Sequence, residues 1–128
     1  FTRPDHPLAG QSGISVKTLG AEHFVLAPMP SVIRGLLQRR FNDAGVELQV
    51  AWEITSPRAR LQAAKSGLGI TAVGSNMLET EATRDLVELD VEGFPIPCEW
   101  ILTWRPTRLS LAAATFREYL LTHTALPD

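Results

Sequence analysis

A tight junction between a helix and a strand at residues 65–74, which read KSGLGITAVG, constrains the fold of this chain more than any other stretch. Ser56 can cap a helix that runs into the junction, and Pro57 can start it, because proline lacks only an N–H that would be unpaired there. Gly67 suits the left-handed stop of that helix, and Gly69 lets another backbone approach closely. The remaining residues are almost all apolar, as in a parallel strand covered on both faces. The junction therefore predicts half of a βαβ unit.

The same alternation of strand and helix is present upstream. The apolar run inside residues 22–27 predicts a short buried strand, and residues 47–54 alternate in the manner of a strand whose better-buried face carries Trp52. Between them, Ser31 precedes a helical pattern that Gly45 ends. We therefore predict an α/β fold with a mainly parallel sheet flanked by helices on both sides.

The C-terminal part of the chain gives further predictions. Residues 99–104 predict a strand, and Ser110 can cap a last helix whose inward stripe would carry Ala113, Phe116 and Leu120. The three tryptophans, Trp52, Trp100 and Trp104, are expected in the core.

Size and charge limit the class of protein. The 128 residues suffice for about one domain. With 12 basic and 14 acidic residues the net charge is -2, so the chain as a whole lacks the excess of positive charge that favours nucleic-acid binding. The sequence has no apolar run near the roughly 20 residues of a membrane span. A single cysteine, Cys98, excludes an internal disulfide and fits a reducing cytoplasm.

Signals for an enzyme are poor in this sequence. It has neither a phosphate-binding P-loop nor a G-x-S-x-G motif, and its three histidines are scattered rather than set at metal-ligand spacing. We predict no catalytic residue, no metal site and no cofactor.

Two turns that follow predicted strands, residues 28–31 and 55–57, are the best candidates for a ligand site. Ligands of open α/β sheets gather at the carboxyl ends of the strands, where helix N-termini offer unpaired N–H groups. Hydroxyl groups there suit a carboxylate, phosphate or sulfate, although each can equally cap its own helix. A threonine in the last strand can face either the cleft or its sheet neighbours, and an arginine one turn into a helix can equally lie on the surface or at a dimer contact. The predicted ligand-binding residues are Ser31, Arg34, Thr55, Ser56 and Thr71.

Three stretches together resemble a known family. Besides residues 65–74, these are LVELDVEGFPIPCEWILTW at residues 86–104 and LSLAAATFREYLL at residues 109–121. Their order and spacing resemble the effector-binding domain of LysR-type transcriptional regulators, and VEGFPI followed by a tryptophan is most similar to the branch that controls Calvin-cycle carbon-fixation genes. The resemblance covers the chain from Leu8 to its end.

The resemblance implies a fold like that of type II periplasmic binding proteins, with one complete lobe plus the return strand and helix of the other. Residues 1–12 would be the crossover segment from the first lobe, residues 13–98 the second lobe, and residues 99–128 the return strand and C-terminal helix of the first lobe. A winged helix-turn-helix that contacts DNA would precede this chain.

The resemblance also implies the partners. A small, anionic metabolite would bind in a cleft between the lobes and change how paired subunits hold their DNA-binding heads. The helix at residues 31–44 would contribute to a homo-oligomer, either dimer or tetramer, of a cytoplasmic protein with no membrane partner.

The chain departs from the carbon-fixation branch at its first turn. That branch usually carries Arg-Glu-Pro-Gly-Ser-Gly-Thr-Arg, whereas residues 27–34 read APMPSVIR, so Ser31 and Arg34 match but the first arginine and the glycines do not. At the second turn, Ser-Asn-Glu is replaced by Ser-Pro-Arg at residues 56–58. These departures argue against a bulky sugar phosphate and favour a smaller or less charged ligand.

Two other classes remain open at this point. A solute-binding protein of a transporter shares the two-lobe fold and predicts an export signal upstream. A small α/β enzyme predicts turnover that is lost when Ser31 or Ser56 is replaced. Fold resemblance does not decide between them.

Overall fold

Three short parallel strands form the centre of the structure, a computed structural model that describes residues 1–77, 83–99 and 101–123. The strands are β1 (Phe24–Leu26), β2 (Val50–Glu53) and β3 (Ile70–Thr71), in the order β2-β1-β3 with both pairings parallel. The predicted mainly parallel sheet is confirmed. Because β1 is central, the connections from β1 to β2 and from β2 to β3 run in opposite directions across the sheet.

Helices cover both faces of this sheet. A short helix α1 (Val16–Leu19) precedes β1, α2 (Val32–Asp43) connects β1 to β2, and α3 (Pro57–Lys65) connects β2 to β3. Phe24 packs edge-on against Phe41 of α2, with ring centroids 5.4 Å apart. Val25 points to the opposite face because strand side chains alternate, and α3 packs there over β1 and β3.

The local signals for helix ends are confirmed in the structure. Ser31 and Ser56 are the N-caps of α2 and α3, and the Oγ of each accepts a backbone N–H at 3.4 Å. Gly45 and Gly67 follow these helices with positive φ of 68° and 78°. At Gly69 a Cβ would lie 2.4 Å from the His23 carbonyl oxygen, so the close backbone approach requires glycine.

The first residues of the chain extend the sheet on the side of β3. Phe1 and Thr71 exchange two backbone hydrogen bonds of 2.8 and 2.9 Å, and Thr2 and Val87 exchange two of 3.0 and 2.8 Å in an antiparallel bridge. Ile14 and Val91 form a parallel bridge, and both are buried. The main hydrophobic core runs from Leu8 to Val91 in the first of two compact units, Phe1–Ile96.

The second unit, Pro97–Asp128, contains a 3₁₀ turn at Pro106–Arg108 and α4 (Leu111–His123). Ser110 caps α4 by accepting the Ala113 N–H at 3.2 Å, as the sequence predicts. The Arg117 guanidinium lies 5.4 Å from the centre of the Trp104 ring. Nowhere in the described ranges is a helix long and apolar enough to cross a membrane.

Three expectations from apolar periodicity are wrong within this chain. Trp52 is 53% exposed rather than buried, because it shares the face of Val25, where α3 packs over β1 and β3 and leaves the edge strand β2 uncovered. The residues described within the segment 99–104, predicted as a strand, are not in a strand, and Trp104 is 45% exposed. Trp100 lies outside the described residues. The predicted inward stripe of α4 is uncovered, with Phe116 59% exposed. The C-terminal residues 124–128 of the predicted return segment also lie outside the described residues.

Candidate functional site

The carboxyl edge of the sheet is the place where the predicted site residues meet. The chain leaves β1 toward α2 on one face and leaves β2 toward α3 on the other, so the N-termini of two helices flank the ends of two adjacent strands. The strands remain joined there, because the Ile54 N–H donates to the Leu26 carbonyl at 2.8 Å. In open α/β sheets, ligands bind at such a point, where helix N-termini face the strand ends.

Arg34 enters this edge from α2. Its Nη1 donates to the Ala27 carbonyl at 3.1 Å and to Glu53 Oε1 at 3.0 Å, and its side chain is 13% exposed. The sequence left open whether Arg34 serves the cleft or the surface. In the structure it bridges the end of β1 to the end of β2.

Arg60 enters the same edge from α3 and was not predicted from the sequence. Its Nη1 donates to the carbonyl oxygens of Ile54 and Thr55 at 3.0 Å each, and the residue is 4% exposed. Burial lowers the pKa of the Arg60 guanidinium, although an arginine stays protonated at neutral pH. A signal existed in the sequence, because Arg60 lies on the same helix face as the buried Ala63 and Ala64.

The two arginines retain hydrogen-bonding capacity. The Nε of Arg34 and the Nε of Arg60 are buried and have no partner among the residues that the structure describes. Within the same residues, Glu53 is the carboxylate that forms an ion pair with either guanidinium. Two cations against one carboxylate, beside two helix N-termini, give an edge that suits an anion.

The hydroxyl groups at this edge cap their helices and remain able to donate. Ser31 is half-buried, whereas Thr55 and Ser56 are exposed. The oxygens of Ser31 and Ser56 accept backbone N–H groups, and neither hydroxyl donates to an acceptor within the described part of the chain. Capping and ligand binding are therefore compatible for both serines.

Thr71 differs from the other four predicted residues because it is buried at the end of β3. It is 1% exposed, and its hydroxyl donates to the Val25 carbonyl at 2.8 Å inside the sheet. The structure therefore brings together Ser31, Arg34, Thr55 and Ser56, adds Arg60, and places Thr71 against its sheet neighbour. No group of three metal-binding side chains occurs among the described residues.

Comparison with known proteins gives a consistent result. A family model described as the LysR substrate binding domain matches residues 1–125. The chain is 43% identical over 124 residues to the RuBisCO operon transcriptional regulator of Allochromatium vinosum, covering 95% of this chain and 41% of that protein. It is 33% identical over 120 residues to the HTH-type transcriptional activator CmpR of Synechocystis, covering 92% and 40%. The chain thus spans about two fifths of the length of these curated relatives.

Solved structures show the same similarity. The CcmR regulatory domain of Synechocystis PCC6803, in complex with 2-PG, superposes with a TM-score of 0.81 at 34% identity, covering 97% of this chain and 61% of that one. The effector binding domain of QuiR in complex with shikimate superposes with a TM-score of 0.51 at 17% identity, over 55% of this chain and 34% of that one, which supports the fold alone.

Proposed function

This chain belongs to the LysR substrate-binding domain family, and on that basis we propose that it is the effector-sensing part of a LysR-type transcriptional regulator of the carbon-fixation branch. A small anionic metabolite binds at the carboxyl edge of its sheet. The binding modulates a separate N-terminal winged helix-turn-helix, which holds the DNA.

The observation that carries this proposal is the convergence of Arg34 and Arg60 on the ends of β1 and β2. They come from helices on opposite faces, and both keep a buried Nε without a partner among the described residues. Ser31, Thr55 and Ser56 supply hydroxyl donors beside them, and Thr71 stays a prediction as a ligand-binding residue. The similar CcmR domain was solved with 2-PG, which makes 2-PG the first ligand to test.

The lobe assignment is part of the proposal. Residues 1–12 form the crossover, residues 13–98 the second lobe, and residues 99–128 the return segment and helix of the first, whose return strand would pair with first-lobe residues outside this chain. The uncovered apolar side chains of α4 support it, since Leu111, Phe116 and Leu121 are 85%, 59% and 59% exposed. A helix with such a surface needs apolar residues from elsewhere to cover it.

The helix at residues 31–44 is proposed to contribute to a homo-oligomer. Val32 is 69% exposed on it, and Arg39 is exposed as well. Val32→Glu should therefore lower the association constant of the full-length product in analytical ultracentrifugation. An unchanged association constant would argue against this helix as the contact.

We further propose a cytoplasmic protein that binds its ligand without turnover. The named relatives are transcriptional regulators, which supports this reading over the solute-binding protein and the enzyme. The coding DNA upstream of Phe1 should encode a winged helix-turn-helix and a first α/β lobe. An export signal followed by a lobe would instead indicate a transport protein.

Calorimetry with 2-PG on the full-length gene product tests the site. Arg34→Gln should weaken binding by about 10- to 100-fold, the range expected for a hydrogen bond to a charged group. Arg84→Gln is the control, because it removes the same charge from an exposed position outside α2 and α3. Equal losses in both variants, or no binding of any small anion by the wild type, would contradict the proposed site.

A further inference from the structure

The Glu53 carboxylate forms an ion pair with Arg34, whose guanidinium the proposed function assigns to the ligand. Its Oε1 lies 3.0 Å from Arg34 Nη1, and the Glu53 side chain is 52% exposed whereas that of Arg34 is 13% exposed. We propose that Glu53 is an internal competitor: its carboxylate holds Arg34 until an anionic effector displaces it, and so sets the concentration at which the site fills. The inference rests on the function proposed above.

The geometry allows Glu53 to leave without moving Arg34. The same Nη1 also donates to the Ala27 carbonyl at 3.1 Å, so the guanidinium keeps one anchor when the carboxylate departs. Glu53 is the last residue of the edge strand β2, and its half-exposed carboxylate can rotate into water. An exposed ion pair of this kind is weak, worth a factor of about two to five in an equilibrium constant.

The charges at this edge indicate which ligands can win the competition. Arg60 makes no ion pair with any described residue, because its Nη1 is bound to two neutral carbonyl oxygens. With Glu53 in place, the formal charges of Arg34, Arg60 and Glu53 sum to about +1. Once Glu53 has left, the two arginines carry about +2, which matches a dianion such as a phosphate monoester.

A monocarboxylate gains little at this site. It exchanges one carboxylate for another on Arg34 and leaves the second cation uncompensated. A dianion meets both cations, so its Coulomb gain is larger at the same distance. The effector class assigned here is therefore a small dianion rather than a monocarboxylate.

Competition makes a specific prediction about Glu53→Gln. The amide oxygen can still accept from Arg34, so the bridge between β1 and β2 is kept while the competing charge is lost. The affinity of the full-length product should rise about two- to fivefold at low salt, and by less at high salt. The free energy needed to displace Glu53 from Arg34 is the same for every ligand. The factor should therefore be equal for 2-PG, inorganic phosphate and acetate, with acetate the weakest ligand throughout.

Glu47→Gln is the matched control. Glu47 is exposed, forms no ion pair within the described ranges, and lies six residues away along the same extended segment, about 20 Å from Glu53. Calorimetry with 2-PG and NMR titrations with phosphate and acetate give the affinities, and urea unfolding of each variant confirms that the fold is retained. Glu53→Ala, which also removes the acceptor, should tighten binding in the same direction.

The possible results distinguish a failure of the Glu53 competitor from a failure of the proposed anionic effector. If Glu53→Gln and Glu53→Ala leave the ligand affinity unchanged, Glu53 is not an internal competitor, whereas the proposed anion site is still supported. A gain that grows with ligand charge would show simple repulsion by a carboxylate that stays in place, and would also overturn displacement. If neither wild type nor variant binds any of the three anions, both the competitor and the anionic effector fail.

Discussion

The hydroxyl of Thr71 gives the sharpest test at the scale of single residues, because it donates to the Val25 carbonyl in a fully buried position. Thr71→Val keeps the shape of the side chain and removes this donor. We expect the free energy of unfolding to fall by about 1–2 kcal/mol in urea denaturation. The affinity for 2-PG should stay within about twofold of wild type, since the loss of one neutral hydrogen bond inside the sheet leaves the charged edge intact.

Thr71→Ser is the control, because it restores the donor with a smaller side chain. If Thr71→Val weakens 2-PG binding and Thr71→Ser keeps it near the wild-type affinity, then Thr71 contacts the ligand, which is one of the two roles that the sequence left open.

Residue-level chemistry was partly predictable. Ser31 and Ser56 were identified as caps because the capping bond is local and depends only on the next three residues. Arg60 was missed because a charged side chain predicts solvent exposure. Its guanidinium finds two carbonyls five and six residues away, a local arrangement that periodicity alone does not reveal.

At the scale of elements, helix caps can be separated from ligand contacts. Ser31→Ala should lower the free energy of unfolding by about 1 kcal/mol, and Ser15→Ala, which removes the cap of α1, should cost a similar amount. Only Ser31→Ala should also weaken 2-PG binding, because α1 leads into the amino end of β1 whereas α2 begins at its carboxyl end. Calorimetry beside thermal unfolding distinguishes the two effects.

Equal ligand affinities in the two serine variants would mean that Ser31 serves only as a cap. Ser31→Gly offers a further comparison, because glycine at the N-cap costs only a few tenths of a kcal/mol.

The identity of the elements could be predicted better than their burial. Alternation along residues 47–54 correctly indicated a strand, but it did not show that β2 would be an edge strand beyond the cover of α3, which leaves Trp52 exposed. Likewise, the stripe on α4 predicted a helix correctly but not whether this chain supplies a surface to cover it. An apolar pattern shows which face of a helix or strand can be buried. The tertiary structure determines which surface, if any, covers that face.

At the scale of the whole molecule, the two compact units should differ in their contribution to stability. All members of the main core cluster lie in Phe1–Ile96, and no described residue of α4 is buried. A chain that ends at Ile96 should therefore unfold cooperatively, with a free energy of unfolding within about 1 kcal/mol of the 128-residue chain. Urea unfolding followed by circular dichroism measures both chains.

A broad, non-cooperative transition of the shorter chain would contradict this division of the core. Loss of helical signal at 222 nm without loss of cooperativity is the expected result, since α4 is removed with the second unit.

The pairing of the first two residues determines when this domain can be completed during synthesis. Among the described residues, Phe1 pairs with Thr71 and Thr2 pairs with Val87, so both wait for partners that are translated much later. The central strand β1 likewise waits for β2 and then β3, each beyond an intervening helix. A ribosome-bound chain would therefore expose an unpaired sheet edge until residue 87 has emerged, and such an edge is open to non-native pairing during that interval.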